Sequence, residues 1–486
     1  MASLLRSLQE RLQDPSIPWQ TVVLGSVAGV AVFEEWIGSR QRPYLSSVLH
    51  PHLPAALRPY LKADDSHSTY LKSQDYARHK LNYSLVTTLI DLAETGILLT
   101  GVAAPVAAAL GFPVGGKDWT LLKGFWDLAA RLPGAQGGEI KQSMVFTALM
   151  TVIGTVLSIP RSLYKDFVLE EKFGFNKKTG VVFVTDLFKS LLVSLALEVP
   201  LIAGLIKVIH WAGQDAILRI VTYTIAFIFC VQLVMVPLYP AVIQPLFNTF
   251  TLLPEDSPVF PRVKSLASRL SFPLGKVWVI NGSLRSSHSN AYFYGLPGFS
   301  KNIVIYDTLL EKSTPEEVEA ILAHELGHWK GNHIPVLLVT ALTQVAFSLT
   351  VYSIFLGNAP FLRAFGFPQP SLASKLVHPS APTTGPTIIA LLVASTFAAP
   401  LTAFLSFVTN AITRKLEYDA DAFAVKLGAD YAKNLKGALV TIHEKNLAVY
   451  GVDPVYSAFN HNHPTLVERL EALDAKLDKV EGKKEK

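Results

Sequence analysis

One cysteine occurs in 486 residues, Cys230, and it lies inside an apolar run. No disulfide framework, multi-cysteine metal site or Cys-x-x-Cys redox pair is therefore possible, and Cys230 reads as a small buried apolar residue. Charge is scarce as well. Asp, Glu, Lys and Arg make up 17% of the chain against 50% hydrophobic residues, and the mean hydropathy of +0.34 is too apolar for an ordinary soluble protein. No strongly basic patch with interleaved aromatics accompanies the net charge of +5. That balance fits basic loops on one side of a bilayer rather than a nucleic-acid surface. No internal repeat is visible. A cleavable signal is missing too: the first apolar run ends in Glu34-Glu35, not a small-residue site, and reads as a retained span.

What the chain does have is apolar length. Seven stretches are long enough, or nearly so, to cross a bilayer: 19–37, 85–111, 144–159, 187–209, 217–239, 334–356 and 387–410. The third is short. Asp91, Glu94, Asp186, Lys189 and Glu198 lie in or beside these stretches, and ionisable groups at membrane depth normally face a protein interior or a wet cavity. Lys and Arg alternate between the connections, with 7 at 40–80 and 5 at 161–178 against 2 before the first span and 4 at 117–141. Positive segments belong on the cytoplasmic side, which places the N-terminus outside and the C-terminus inside.

This divides the chain into 1–239 (five spans with loops), 240–333 (a cytosolic segment), 334–410 (two spans) and 411–486 (a cytosolic tail). The two cytosolic segments share one membrane face. The first has short β-like runs at 276–280, 289–296 and 302–307, whereas 112–142 and 357–386 are rich in Gly and Pro and read as loops. Residues 476–486 read as a frayed, charged terminus.

The segment 240–333 ends in His324-Glu325-Leu326-Gly327-His328. Two imidazoles four residues apart lie one turn above the other on a helix face, the spacing needed to chelate one metal ion, with Glu325 rotated partly off that face as a base. A helix is indicated independently of the histidines. Thr314 is an N-cap, Pro315 occupies the first helical position, Glu317 completes a capping box, and Val318, Ile321, Leu322 and Leu326 form an apolar stripe. A catalytic metal of this kind needs a third protein ligand, and a carboxylate is the natural one. Glu417 and Asp421 share a helix face where the tail leaves the seventh span, Glu417 as a ligand and Asp421 as the group orienting a ligand through a hydrogen bond. On spacing alone, a surface role for both carboxylates is equally open.

These blocks, followed by His461-Asn462-His463-Pro464-Thr465-Leu466-Val467-Glu468-Arg469-Leu470, occur in an order that resembles the CAAX prenyl protease 1 family. The resemblance covers essentially the whole chain and includes residues 164–176, 243–248 and 289–295. It implies a mainly α, polytopic membrane protein: seven transmembrane helices arranged as a barrel around a chamber, closed by a cytosolic zincin-like metalloprotease domain with a small β-sheet. It implies one zinc ion held by His324, His328 and Glu417, with Glu325 as general base and acid. It makes His463 the donor to substrate or oxyanion and puts Asn290 on an edge strand beside the substrate backbone. On its own, His463 before Pro464 reads as a loop histidine. Arg469 is left open between pairing with Asp421 and a surface position, and His333 is expected at the helix–membrane junction rather than on metal.

The implied activity is removal of the last three residues from prenylated, for instance farnesylated, CAAX proteins, with membrane lipid as the other partner and no nucleic acid. The family also makes a second, N-terminal cut in some precursors. The address implied is the endoplasmic reticulum membrane, and the dilysine-like end Lys483-Lys484-Glu485-Lys486 agrees with it; the inner nuclear membrane is left open. Two rival readings are a quality-control protease with the same zinc core, and a non-catalytic scaffold or transporter that keeps a zinc-stabilised domain.

Overall fold

The computed structural model describes residues 2–53, 57, 66–112, 114–116, 118–213, 217–296, 298–368 and 385–481. The apolar stretches are helices, the one open structure that satisfies every backbone donor and acceptor inside a bilayer. In the first half these are α1 (Trp19–Gln41), α2 (Ser66–Leu99), α3 (Leu121–Arg131), α4 (Glu139–Tyr164), α5 (Gly180–Ala212) and α6 (Ile217–Leu238). The second half has α7 (Phe260–Leu270), α8 (Pro315–Lys330), α9 (His333–Phe355), α10 (Thr387–Phe397) and α11 (Ala399–Leu427). The tail adds α12 (Ala429–Lys445), α13 (Pro454–Asn460) and α14 (Leu466–Glu481).

Five helices are long and apolar enough to cross a membrane alone, and two bent pairs raise the number to seven if each pair is one span. After α2 the chain turns by 76° into residues 101–109, and α10 meets α11 at 65°. Pro400, in the first turn of α11, has no N–H to continue the ladder of α10. The stretch expected at 144–159 lies inside a longer helix, which begins after Gly138 in a positive-φ conformation (117°). The segment 112–142 is not merely a loop. It contains α3, capped by Thr120 Oγ1 on Lys123 N at 3.2 Å, with Leu122, Trp126 and Ala129 buried; its short apolar period was hidden by flanking Gly and Pro. Similarly, Ala359–Arg363 is a helical turn within 357–386, of which 369–384 lie outside the described residues.

Neighbouring helices close a ring in the order α1–α2–α3–α4–α5–α6–α9–α10 and back to α1. The ring is hollow. At most 17% of the most apolar stretch of each single-helix span is buried against protein, whereas a packed bundle would bury a whole face of each helix. The ionisable residues in and beside the spans have polar partners among the described residues. Arg161 binds Asp91 and also Glu94 (3.3 Å), Thr151 donates to Glu198 (2.7 Å), Lys189 donates to the Leu246 carbonyl (2.7 Å) and Arg285 grips Asp186 at 2.7 and 2.8 Å. Cys230 is exposed rather than buried, which corrects the reading of it as a core residue.

The segments after α6 and after α11 pack together at one end of the ring. Four strands, β1 (Phe250–Leu252), β2 (Leu274–Ile280), β3 (Ala291–Tyr294) and β4 (Lys301–Tyr306), form a sheet in the order β1-β2-β4-β3. β2 and β4 run parallel, while β1 and β3 are antiparallel to their neighbours and occupy the edges. β1, only three residues long, carries too little alternation to be legible in the sequence. Between sheet and tail lies α8, whose stripe Val318, Ile321, Leu322 and Leu326 is buried with Leu266, Ile305, Leu435 and Leu473. Each such side chain contributes about 1.5–3 kcal/mol by leaving water. α14 continues through Lys476 to Glu481, so the terminus is helical where fraying was expected; 482–486, with the dilysine-like end, lie outside the described residues.

Candidate metal centre

Helix α8 starts as its residues dictate. Thr314 Oγ1 accepts from Glu317 N at 3.2 Å, and the Glu317 carboxylate accepts from Thr314 N at 2.9 Å, with Pro315 in the first turn. The frame set by this cap points His324 and His328 at α11, which crosses α8 at Gly327. An added Cβ at Gly327 would stand 3.1 Å from both Cα and the carbonyl oxygen of Ala420. A bare backbone there lets Glu417, one turn before the crossing, and Asp421, the residue after it, reach the histidines.

The three expected ligands converge. His324 Nε2 and His328 Nε2 are 3.2 Å apart, His324 Nε2 is 3.4 Å from Glu417 Oε2, and His328 Nε2 is 3.3 Å from Glu417 Oε1. Nitrogen and oxygen ligands about 2.0–2.1 Å from a tetrahedral ion lie about 3.3–3.4 Å from one another, so the donor set has the right edge lengths. Its chemistry fits as well. His324 Nδ1 is 2.9 Å from Asp421 Oδ1, which fixes the neutral ring as the Nδ1–H tautomer and leaves the Nε2 lone pair inward. His328 Nδ1 is likewise engaged, 2.8 Å from His333 Nδ1. Glu417 Oε2 is buried without a hydrogen-bond partner among the described residues. Lone pairs gathered this closely call for a cation.

Around this set is a buried frame. Arg469 donates to Asp421 through Nε (2.9 Å) and Nη2 (2.6 Å), and its Nη1 is 3.8 Å from Glu417 Oε2. That decides the position left open for Arg469: it pairs inside, not at the surface. Burial opposes the positive charge on His324, but the carboxylates of Asp421 and Glu417 outweigh it and push the imidazole up to about 9 without metal. Burial raises Glu325, though the neighbouring imidazoles pull the other way, and this brings the carboxylate closer to the range of a general base. Burial also lowers His463.

His463 reaches the cluster from the tail, with Nε2 at 3.3 Å from Glu417 Oε1 and half its side chain exposed. Asn290 is exposed immediately before the edge strand β3; its backbone carbonyl accepts from Tyr306 N at 3.0 Å. His333 begins α9 and stands beside His328 rather than in the three-ligand cluster. Spacing hid this contact, since a sharp turn at Asn332 (φ 54°) doubles the chain back. Gly327 was also missed as a functional position. Its place between the histidines was the only signal.

Comparison with known proteins agrees with this geometry. Residues 45–249 match a family model described as CAAX prenyl protease N-terminal, five membrane helices, and residues 256–477 match peptidase family M48. The chain is 35% identical over 467 residues to the CAAX prenyl protease 1 of Saccharomyces cerevisiae, covering 96% of this chain and 98% of that one. It is 32% identical over 489 residues to the CAAX prenyl protease 1 homolog of Homo sapiens, covering 91% and 93%. The crystal structure of S. mikatae Ste24p superposes with a TM-score of 0.82 at 35% identity, over 94% of this chain and all of that one. With two histidines and a carboxylate meeting where the M48 model matches, at one end of a ring of membrane helices, this chain belongs to the CAAX prenyl protease 1 family of M48 metalloproteases.

Proposed function

We propose that the protein is a zinc endopeptidase of the endoplasmic reticulum membrane that removes the last three residues of prenylated CAAX proteins, with a second, N-terminal cut in some farnesylated precursors. The observation that carries this reading is the convergence of His324, His328 and Glu417 from separate helices, with Glu325 beside them. Those three residues would hold the ion, which when bound supplies a Lewis acid for the scissile carbonyl and lowers the pKa of water.

The chain's own residues do the rest. Glu325 takes the proton of the attacking water and returns it to the leaving amine. The substrate lies extended along β3, whose outer edge pairs with no other strand among the described residues, with Asn290 immediately before that strand. His463 donates from Nε2 to the oxygen that gains charge. This requires either the imidazolium or an Asn462 amide turned to present its NH2 to Nδ1, 2.8 Å from the Asn462 side chain. Asp421 and Arg469 keep His324 in its tautomer.

A lipidated substrate gives such a protease reason to sit in a membrane, because burying the prenyl chain contributes about 0.8 kcal/mol per CH2 towards holding the peptide near the site. The basic connections described above support a lumenal N-terminus and a cytosolic site. Cleavage of a farnesylated C-terminal peptide, followed with and without chelator and alongside metal analysis, tests the reading. Glu325→Gln should keep the metal and lose turnover by roughly a hundred- to ten-thousandfold. Cleavage that survives that change, or equal cleavage of the unprenylated peptide, would refute it.

A further inference from the structure

Next to the metal cluster, between α1, α2 and the tail, is a cavity of about 300 Å3. Leu45, Leu81 and Val449 make its apolar wall, and Lys80, Ser84 and His461 its polar one. Lys80 is the one lysine or arginine among the lining residues. Its ammonium rests over the Tyr76 ring at 4.1 Å, and among the described residues it forms no ion pair. The nearby carboxylate of Glu170 is occupied instead by the Tyr76 hydroxyl, at 2.8 and 3.0 Å, and lies 3.9 Å from His288. An ammonium in the wall of a half-apolar cavity, with no direct ion pair among the described residues, favours a ligand carrying a single negative charge beside an aliphatic group.

The position of the cavity narrows the choice. His461 in its wall is two residues from His463, whose ring touches Glu417. Extended chain advances about 3.3–3.6 Å per residue, so the wall lies within roughly 7 Å of His463 along the backbone. Three residues beyond a cleaved bond cover about 10 Å, and the last of them ends in a carboxylate. We propose that this cavity is the subsite for the substrate's C-terminus: Lys80, helped by Ser84 and His461, receives the free α-carboxylate, and Leu45, Leu81 and Val449 hold the last side chain. The proposal rests on the CAAX reading above and deepens it, since an anchor at this distance would set the cut three residues from the end.

The test uses the full-length, metal-loaded protein and two farnesylated peptides that differ only in ending as a carboxylate or a carboxamide. Wild type should favour the carboxylate roughly ten- to hundredfold in kcat/KM. Lys80→Met should collapse that ratio towards one, chiefly through KM, and Lys80→Arg should keep most of it. Metal content and melting temperature are read for each variant. Wild type alone supplies a second measurement that needs no variant to fold: the tripeptide product acid should inhibit more strongly than its amide by a similar factor. Equal cleavage of the two peptides, equal inhibition, or an intact preference in Lys80→Met overturns the subsite. A metal-loaded wild type that cleaves neither peptide refutes the CAAX reading instead.

Discussion

Arg469 grips Asp421 with two of its nitrogens, at 2.9 and 2.6 Å, across 48 residues of sequence. Asp421 in turn holds Nδ1 of His324 at 2.9 Å, so a side chain of the tail sets the tautomer of a residue on α8. Such outer partners are worth roughly ten- to hundredfold in metal affinity. Asp421→Ala should therefore weaken metal retention by that factor, measured by chelator titration. Arg469→Met should be the more destabilising single change, by about 3–5 kcal/mol, because it strands a buried carboxylate. The double variant Asp421→Asn, Arg469→Met should recover part of that loss in melting temperature. Additive losses would show that the pair is not coupled.

Gly327 offers a test of the crossing itself. An added methyl would stand 3.1 Å from the Ala420 backbone and 3.2 Å from Phe423 Cβ, closer than backbone yields cheaply. Gly327→Ala favours the isolated helix by about 1 kcal/mol, yet it should push α11 outward and carry Glu417 away from the imidazoles. The expected outcome is reduced metal affinity with helical content unchanged, read by metal analysis and circular dichroism. Full metal affinity in this variant would mean that the two helices tolerate a wider crossing.

Much of this site was legible because its signals are local. The capping box at Thr314 and Glu317 fixes the frame of α8, and period and cap agree with the two-histidine spacing without any tertiary contact. The pairing of Glu417 with those histidines was not legible from spacing, since carboxylates at helix ends are common; the order of the motifs along the chain supplied it. Long apolar runs marked the spans, but hydropathy carries no record of a break at Ala398 or of a helix as short as α3 among glycines. For Arg469 the sequence leaves the choice between Asp421 and the surface open, and for His333 it gives no sign of the contact with His328. Both lie across a fold whose closure depends on contacts remote in sequence.

The tail has a pH-sensitive position away from the metal. His443 Nε2 is buried without a hydrogen-bond partner among the described residues, and the ring packs 4.5 Å from Tyr450. Burial pushes this imidazole from its ordinary 6.5 down to about 4. Between those values the unfolded chain binds the proton and the folded chain does not, so stability falls as the solution is acidified. The contribution is fully present above pH 6.5 and lost as the pH drops towards about 4, an effect on the order of 3 kcal/mol. His443→Phe should flatten the fall in melting temperature over that window relative to wild type, in the same detergent. An unchanged pH profile would assign the acid sensitivity to other groups.

Asp453 ties the first span to the segment that delivers His463. Its carboxylate accepts Nε and Nη2 of Arg40 at 3.1 and 3.0 Å, and its Oδ1 also caps α13 by accepting from Val455 N and Tyr456 N at 3.0 Å. Gln41 closes the link, accepting from Asp453 N at 2.8 Å and donating to the Gly451 carbonyl at 3.0 Å. Removing the cap costs about 0.5–2 kcal/mol, whereas the half-exposed arginine contributes little on its own. Asp453→Ala should loosen α13 and with it the turn through His461 to His463, while α8 and α11 keep the three proposed ligands in place. Turnover should fall roughly ten- to hundredfold, as misplacement of a donor by about 1 Å does, with bound metal unchanged. Asp453→Asn, which can still cap the helix, should retain most of the activity. Loss of metal together with turnover in Asp453→Ala would mean instead that the clamp supports the whole site rather than the orientation of His463.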